Sequence, residues 1–97
     1  MTAYCIAQID IHDPTEYQNY LQGFMPVFER HNGRLLVSSA AEVDIIEGHW
    51  DLPRCVLLAF PDLQHARAWL DDPDYRTLAR HRHRAAQTNL VMVDGVG

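Results

Sequence analysis

Ninety-seven residues, 47% of them hydrophobic, are enough for one compact domain (1–97) with its own core and too few for two. The formal charge is −5, with thirteen acidic residues against eight basic ones, all Arg, so the composition argues against a basic face for duplex nucleic acid. No apolar run approaches the roughly 18 residues of a membrane span. The N-terminus Met1-Thr2-Ala3-Tyr4 has no basic segment ahead of an apolar one, so the chain is expected to be cytoplasmic, without a membrane or nucleic-acid partner.

Ala3 to His12 alternates, with Cys5, Ala7, Ile9 and Ile11 on one side and Tyr4, Ile6, Gln8 and Asp10 on the other, which predicts a strand with one fully apolar face. Asp13-Pro14-Thr15-Glu16 then opens a helix: Asp13 is the N-cap, Pro14 takes the first helical position and Glu16 sits at N3. Tyr17, Tyr20, Leu21, Phe24, Val27, Phe28 and His31 recur at spacings of three and four, and Asn32-Gly33 supplies a left-handed stop. Pro26 lies inside this helix and is expected to kink it.

Arg34 to Ser38 and Val43 to Ile46 read as one strand broken by a bulge or bend. The polar loop from Glu47 to Arg54 turns at Gly48 and Pro53 and feeds Cys55 to Phe60, the one strand candidate with no polar residue between its ends. A strand apolar on both faces must be covered on both, so it belongs at the centre of its sheet. Asp62 caps a further helix with the apolar stripe Leu63, Ala66, Trp69 and Leu70, which stops at Asp71. Asp72-Pro73-Asp74-Tyr75 repeats the cap-then-proline signal and begins a helix that carries Tyr75, Leu78, Ala79 and Arg82 on one side and ends near Ala86. Asn89 to Asp94 is the last strand.

This order, strand, helix, strand, strand, broken helix, strand, is the α+β ferredoxin-like βαββαβ pattern, and right-handed crossovers give a four-stranded antiparallel sheet in order 4-1-3-2. Both helical layers then lie on one face. The opposite face keeps apolar side chains without cover from the same chain, which predicts a homodimer through the sheet faces. Cys5 and Cys55 fall near the starts of adjacent antiparallel strands, about four residues apart along the ladder, and are expected to stay unbonded.

The ordered series Asp13-Pro14, Tyr17, Tyr20, Gly33-Arg34, Glu47-Gly48, Trp50, Arg54, Phe60-Pro61, Ala66, Trp69, Asp72-Pro73-Asp74-Tyr75 and Arg82 resembles the domain-of-unknown-function family 1330, within the dimeric alpha+beta barrel superfamily, over almost the whole chain. The resemblance implies a ferredoxin-like fold that dimerises through its sheets, and no established activity. The superfamily it points to includes cofactor-free monooxygenases of polyketide pathways, muconolactone isomerase and haem-binding branches. The chain departs from the family pattern at Ser38, where Arg is more common, and at Asp72, where Ser is usual. An anion contact from that Arg is therefore weakened here.

No metal site and no cofactor are expected. His81 and His83 stand two apart on a helix, about 200° around its axis, and cannot share an ion; with Arg80 and Arg84 they form a solvated end that complements the helix dipole. His12, His31, His49 and His65 fall on separate elements without ligand spacing, and no Gly-rich phosphate loop or nucleophile motif is present. What remains is a polar-aromatic group as the candidate ligand site: Tyr17, Tyr20 and His31 on the first helix, Glu47, Trp50 and Arg54 around the loop, and Trp69, Tyr75 and Arg82 on the last helices. On one account Tyr17, Tyr20 and Trp69 are core aromatics, and Glu47 pairs with Arg54 or Arg82 to fix the loop. On the other, the tips and Arg82 line a pocket for a small anionic or aromatic metabolite, either bound without reaction or acted on by a cofactor-independent monooxygenase or isomerase. Arg82, on the inward side of its helix, is expected to pair with Glu47 or Asp10.

Overall fold

A computed structural model describes residues 1–97. The elements in chain order are β1 (Ala3–Ile11), α1 (Pro14–Arg30), β2 (Arg34–Val37), β3 (Arg54–Phe60), α2 (Leu63–Asp71), α3 (Pro73–Ala85) and β4 (Ala86–Asp94). Both partners of β1 are antiparallel to it and the sheet order is β2-β3-β1-β4, the expected ferredoxin-like arrangement. The both-sided apolar strand β3 lies inside the sheet, between β1 and β2.

The helix starts follow their capping chemistry. The Asp13 carboxylate accepts from the Glu16 backbone N–H at 3.2 Å, Asp62 from His65 at 2.8 Å and Asp72 from Asp74 at 2.9 Å, each satisfying a donor that the first helical turn leaves free. Helix α1 continues unbroken past Pro26. At its end the left-handed residue is Asn32, with φ of 58°, and not Gly33. Gly33 is required for a different reason: a Cβ there would stand 2.2 Å from a ring carbon of Phe28.

Register sorts the strands into two faces. Cys5 stands opposite Leu58 and Met92, Ala7 opposite Val56 and Leu90, and Ile9 opposite Thr88, so these side chains share the helix-covered face. There they meet Tyr17, Tyr20, Phe24 and Phe28 of α1, Trp69 of α2 and Tyr75 and Ala79 of α3 in one core. The Trp69 ring stacks tilted on Tyr75 with centroids 4.1 Å apart and lies 5.3 Å from Phe60, tying α2, α3 and β3 together. On the other face Ile6 stands opposite Leu57 and Val91, and Leu57 opposite Val37, an apolar row across all four strands that no helix covers.

Two boundaries differ from expectation. Val43 to Ile46 forms no strand: β2 ends at Val37 after an irregularity in its pairing with β3, and residues 38–53 are a long connection without regular structure. Hydrophobicity alone suggested a strand there, but β2 already pairs with β3, and Ile45 and Ile46 point outward, Ile46 85% exposed. Strand β4 begins at Ala86, three residues earlier than expected, because α3 passes straight into it and all nine of its residues pair with β1. Cys5 and Cys55 are both free. Cys5 is opposite Leu58 and Cys55 opposite Gln8, so they lie three residues apart along the ladder and on opposite faces of the sheet.

Candidate functional site

Between the helices and the sheet lies a cavity of about 80 Å³, lined mainly by apolar side chains from every layer of the domain. Its floor is Ala7, Ile9, Val56, Leu58, Thr88 and Leu90 of the sheet, its roof is Tyr17, Tyr20 and Phe24 of α1, and Trp69, Tyr75 and Arg82 close one side. Ser38 and Ser39, just beyond β2, line it as well. Register explains the floor, since Ala7, Val56 and Leu90 are cross-strand neighbours and Ala7 leaves room where a longer side chain would fill the space.

The polar groups of this cavity are few and unusually unpartnered. The hydroxyls of Tyr20 and Tyr75 bond to each other at 2.8 Å, bridging α1 and α3. The indole N–H of Trp69, a residue 1% exposed, and the buried hydroxyl of Thr88 have no hydrogen-bond partner. Such orphans are uncommon in folded proteins and call for an explanation where they occur. The half-buried guanidinium of Arg82 lies over the Tyr20 ring, 5.7 Å from its centroid, and forms no ion pair with any carboxylate. Burial works against its charge, but the hydroxyls of Tyr75 and Tyr20 outweigh this and hold it above the ordinary arginine value. Burial, reinforced by Tyr75, pushes the Tyr20 phenol well up, and burial likewise raises Tyr17. The cavity thus holds one fixed positive charge, with the Tyr17 and Tyr20 phenols kept neutral near pH 7.

Five of the expected site residues, Tyr17, Tyr20, Trp69, Tyr75 and Arg82, come together here. The other four do not line the cavity. His31 lies at the end of α1, its Nε2 2.7 Å from the Asp72 carboxylate that caps α3. Arg54 donates to the Ala41 carbonyl at 3.2 Å, Glu47 is exposed and unpaired, and Trp50 is half-buried with its indole N–H orphaned in the 38–53 connection. The expected pairing of Arg82 with Glu47 or Asp10 does not form, nor does Glu47 with Arg54. Asp10 alternates to the face away from the helices, and Glu47 is exposed in the connection between β2 and β3. The end of α3 is less solvated than expected: the Glu16 carboxylate meets His81 Nδ1 at 2.7 Å and Arg84 at 2.8 Å.

Sequence reading missed Ser39, Thr88 and the sheet floor. Thr88 is the one polar position on the helix-facing side of β4 between Ala86 and Leu90, a signal that became readable only once β4 was known to begin at Ala86. Ser38, marked above as a departure from the family pattern, stands at the cavity edge, where an Arg would bring a second positive charge beside Arg82.

The model of the family described as Domain of unknown function (DUF1330) matches residues 2–96. No curated protein matches the chain. Among solved structures, the chain is similar to a protein of unknown function from Rhodopseudomonas palustris, with a TM-score of 0.77 and 18% identity over 99% of this chain and 83% of that one. It is also similar to SnoaB, a cofactor-independent oxygenase from Streptomyces nogalater, with a TM-score of 0.64 and 13% identity over 99% and 94% of the two chains. A dimeric ferredoxin-like protein of unknown function from Thermobifida fusca aligns with a TM-score of 0.62 and 14% identity over 98% and 92%. By its family match the chain belongs to the domain of unknown function family DUF1330, and its fold is that of the ferredoxin-like dimeric α+β barrel proteins.

Proposed function

We propose that this protein is a homodimer that binds a small, mostly apolar metabolite carrying one anionic group, with Arg82 as the group that receives the anion. The observation that carries this reading is the charged guanidinium of Arg82 without a carboxylate partner, in an apolar cavity whose Trp69 N–H and Thr88 hydroxyl are also unpartnered. A half-buried cation is stabilised by an anion, and a guanidinium takes a carboxylate through two parallel hydrogen bonds. The apolar floor supplies affinity for the rest of the molecule, and the polar groups fix its orientation.

Binding is favoured over turnover by what the cavity contains. No His, Asp or Glu lines it, and burial holds the Tyr17 and Tyr20 phenols protonated, so the cavity is poor in groups that accept a proton near pH 7. The likeness to SnoaB is one of fold, at 13% identity, and a monooxygenase or isomerase reading would have to draw its proton acceptor from the substrate itself. The homodimer is supported by the uncovered row Val37, Leu57, Ile6 and Val91, the last 55% exposed, and by dimeric ferredoxin-like neighbours.

The test is a thermal-shift and calorimetric screen of short aliphatic and aromatic carboxylates beside their methyl esters. Carboxylates are expected to raise the melting temperature and the esters to leave it unchanged. Equal effects of acid and ester, or none from either, would overturn the reading.

A further inference from the structure

The cavity is smaller than the roughly 300 Å³ at the low end of pockets that enclose a whole small ligand. Beside it along α3 lies a second, more open hollow of about 320 Å³, lined by Leu70, Tyr75, Arg76, Ala79, Arg80, Arg82 and His83. Tyr75 and Arg82 line both spaces. They stand seven residues apart, two turns of α3, so one helix edge forms the boundary between cavity and groove.

The groove differs from its surroundings in charge. The chain carries a net −5, yet half of its eight Arg residues, Arg76, Arg80, Arg82 and Arg84, fall on α3, and no acidic residue lines the groove. Arg84 is engaged by Glu16. Arg76 reaches Asp71 at 3.2 Å, but both side chains are well exposed, and such a pair contributes little. Arg80 has no ion pair. Burial and the charge of Arg82 together hold His83 below its ordinary pKa, as expected where positive charge is already concentrated. Compensation of the helix dipole accounts for basic residues in the last turn of α3, but Arg76 lies in its first turn and gains nothing from it.

We infer that cavity and groove are two halves of one site, taking a ligand whose short apolar part lies in the cavity and whose dianionic head, of the phosphate class, lies in the groove against Arg76, Arg80 and Arg82. This rests on the proposed function, since it takes the cavity to be a binding site, and extends it to the class of ligand. Arg82 at the boundary then holds the first anionic oxygen and the groove arginines hold the others, in the fork geometry that suits phosphate.

The experiment compares hexanoate with hexyl phosphate, which share an apolar chain, by calorimetry on the wild type and on an Arg76→Gln/Arg80→Gln double variant, with inorganic phosphate as control. The phosphate ester is expected to bind at least tenfold more tightly than hexanoate. The double variant should erase that margin while leaving hexanoate affinity within about twofold. Hexanoate binding with no gain for the phosphate ester would overturn the two-part site and leave the cavity reading intact. Failure of both compounds to bind would overturn both readings. A margin that survives the double substitution, or inorganic phosphate binding as tightly as its hexyl ester, would show that the groove and cavity do not act on one ligand.

Discussion

The hydroxyls of Tyr20 and Tyr75, fifty-five residues apart in the chain, meet at 2.8 Å in the helix layer, and this one bond joins α1 to α3 across the wall of the cavity. Removing one by Tyr20→Phe or Tyr75→Phe takes from the other its hydroxyl partner across the helices, and each single change should cost about 1–3 kcal/mol. The double replacement should cost less than the sum of the singles, since it strands no polar group. Urea unfolding of the four proteins measures the coupling, and strictly additive losses would mean that the bond contributes nothing.

The two helices are also tied at their ends, where Glu16 meets His81 and Arg84, and Asp72 meets His31. Hydrogen bonds from His81 and Arg84 hold the Glu16 carboxyl below its usual value, and those from His31 and the Asp74 backbone do the same for Asp72. A depressed carboxyl stabilises the fold fully above its unfolded pKa of about 4, and that stability is lost as the pH falls through the folded value. Urea midpoints should therefore hold steady down to about pH 5 and then fall, and Glu16→Gln should flatten the acid limb while lowering the plateau. An acid limb identical in the variant would show that the Glu16 contacts are not made in solution.

Cys5 is buried on the helix-facing side of β1, and burial pushes its thiol up to about 11. Because the thiolate is the reactive form, Cys5 should resist alkylation at pH 8 in the native protein and react only after unfolding. Mass spectrometry of iodoacetamide-treated protein, with and without urea, reads this directly; rapid native labelling of Cys5 would mean that β1 is not packed as described.

On the uncovered face, Leu57 stands opposite Ile6 and Val37 at the middle of the sheet. If two sheets pack face to face, Leu57→Arg places a charge at the centre of the interface on each chain, and the dimer should dissociate. Light scattering should give about twice the 11.1 kDa chain mass for the wild type and the chain mass for the variant. Monomeric wild type at micromolar concentration with a cooperative fold would contradict the dimer.

The fold was legible because its signals are local and agree with one another: Asp13-Pro14 and Asp72-Pro73 mark helix starts by hydrogen-bonding rules, and the alternation of Ala3 to Ile11 is fixed by the two-residue repeat of a strand. Val43 to Ile46 misled because an apolar run states a preference for burial without saying whether a neighbouring strand is free to pair. The lining of the cavity was half legible. Inward helical spacing found Tyr17, Tyr20, Trp69, Tyr75 and Arg82, since helix periodicity settles which face they share. His31, Glu47, Trp50 and Arg54 were grouped with them by chemistry alone, and no local rule sets how a sixteen-residue connection such as 38–53 is laid over a domain. The partner of Arg82 failed for the same reason: charge complementarity names candidate carboxylates, and strand alternation had already sent Asp10 to the opposite face.

The proposed site turns on the Arg82 guanidinium, and Arg82→Lys isolates its part, because it keeps the positive charge and much of the apolar stem while removing the planar fork. With no carboxylate paired to it, the exchange strands no buried anion and should alter the urea midpoint only slightly. The measurement is calorimetric affinity for the best carboxylate found in the screen, on wild type and variant, beside their unfolding curves. Affinity should fall at least tenfold with folding nearly unchanged. Undiminished affinity in a folded Arg82→Lys protein would contradict the proposed site.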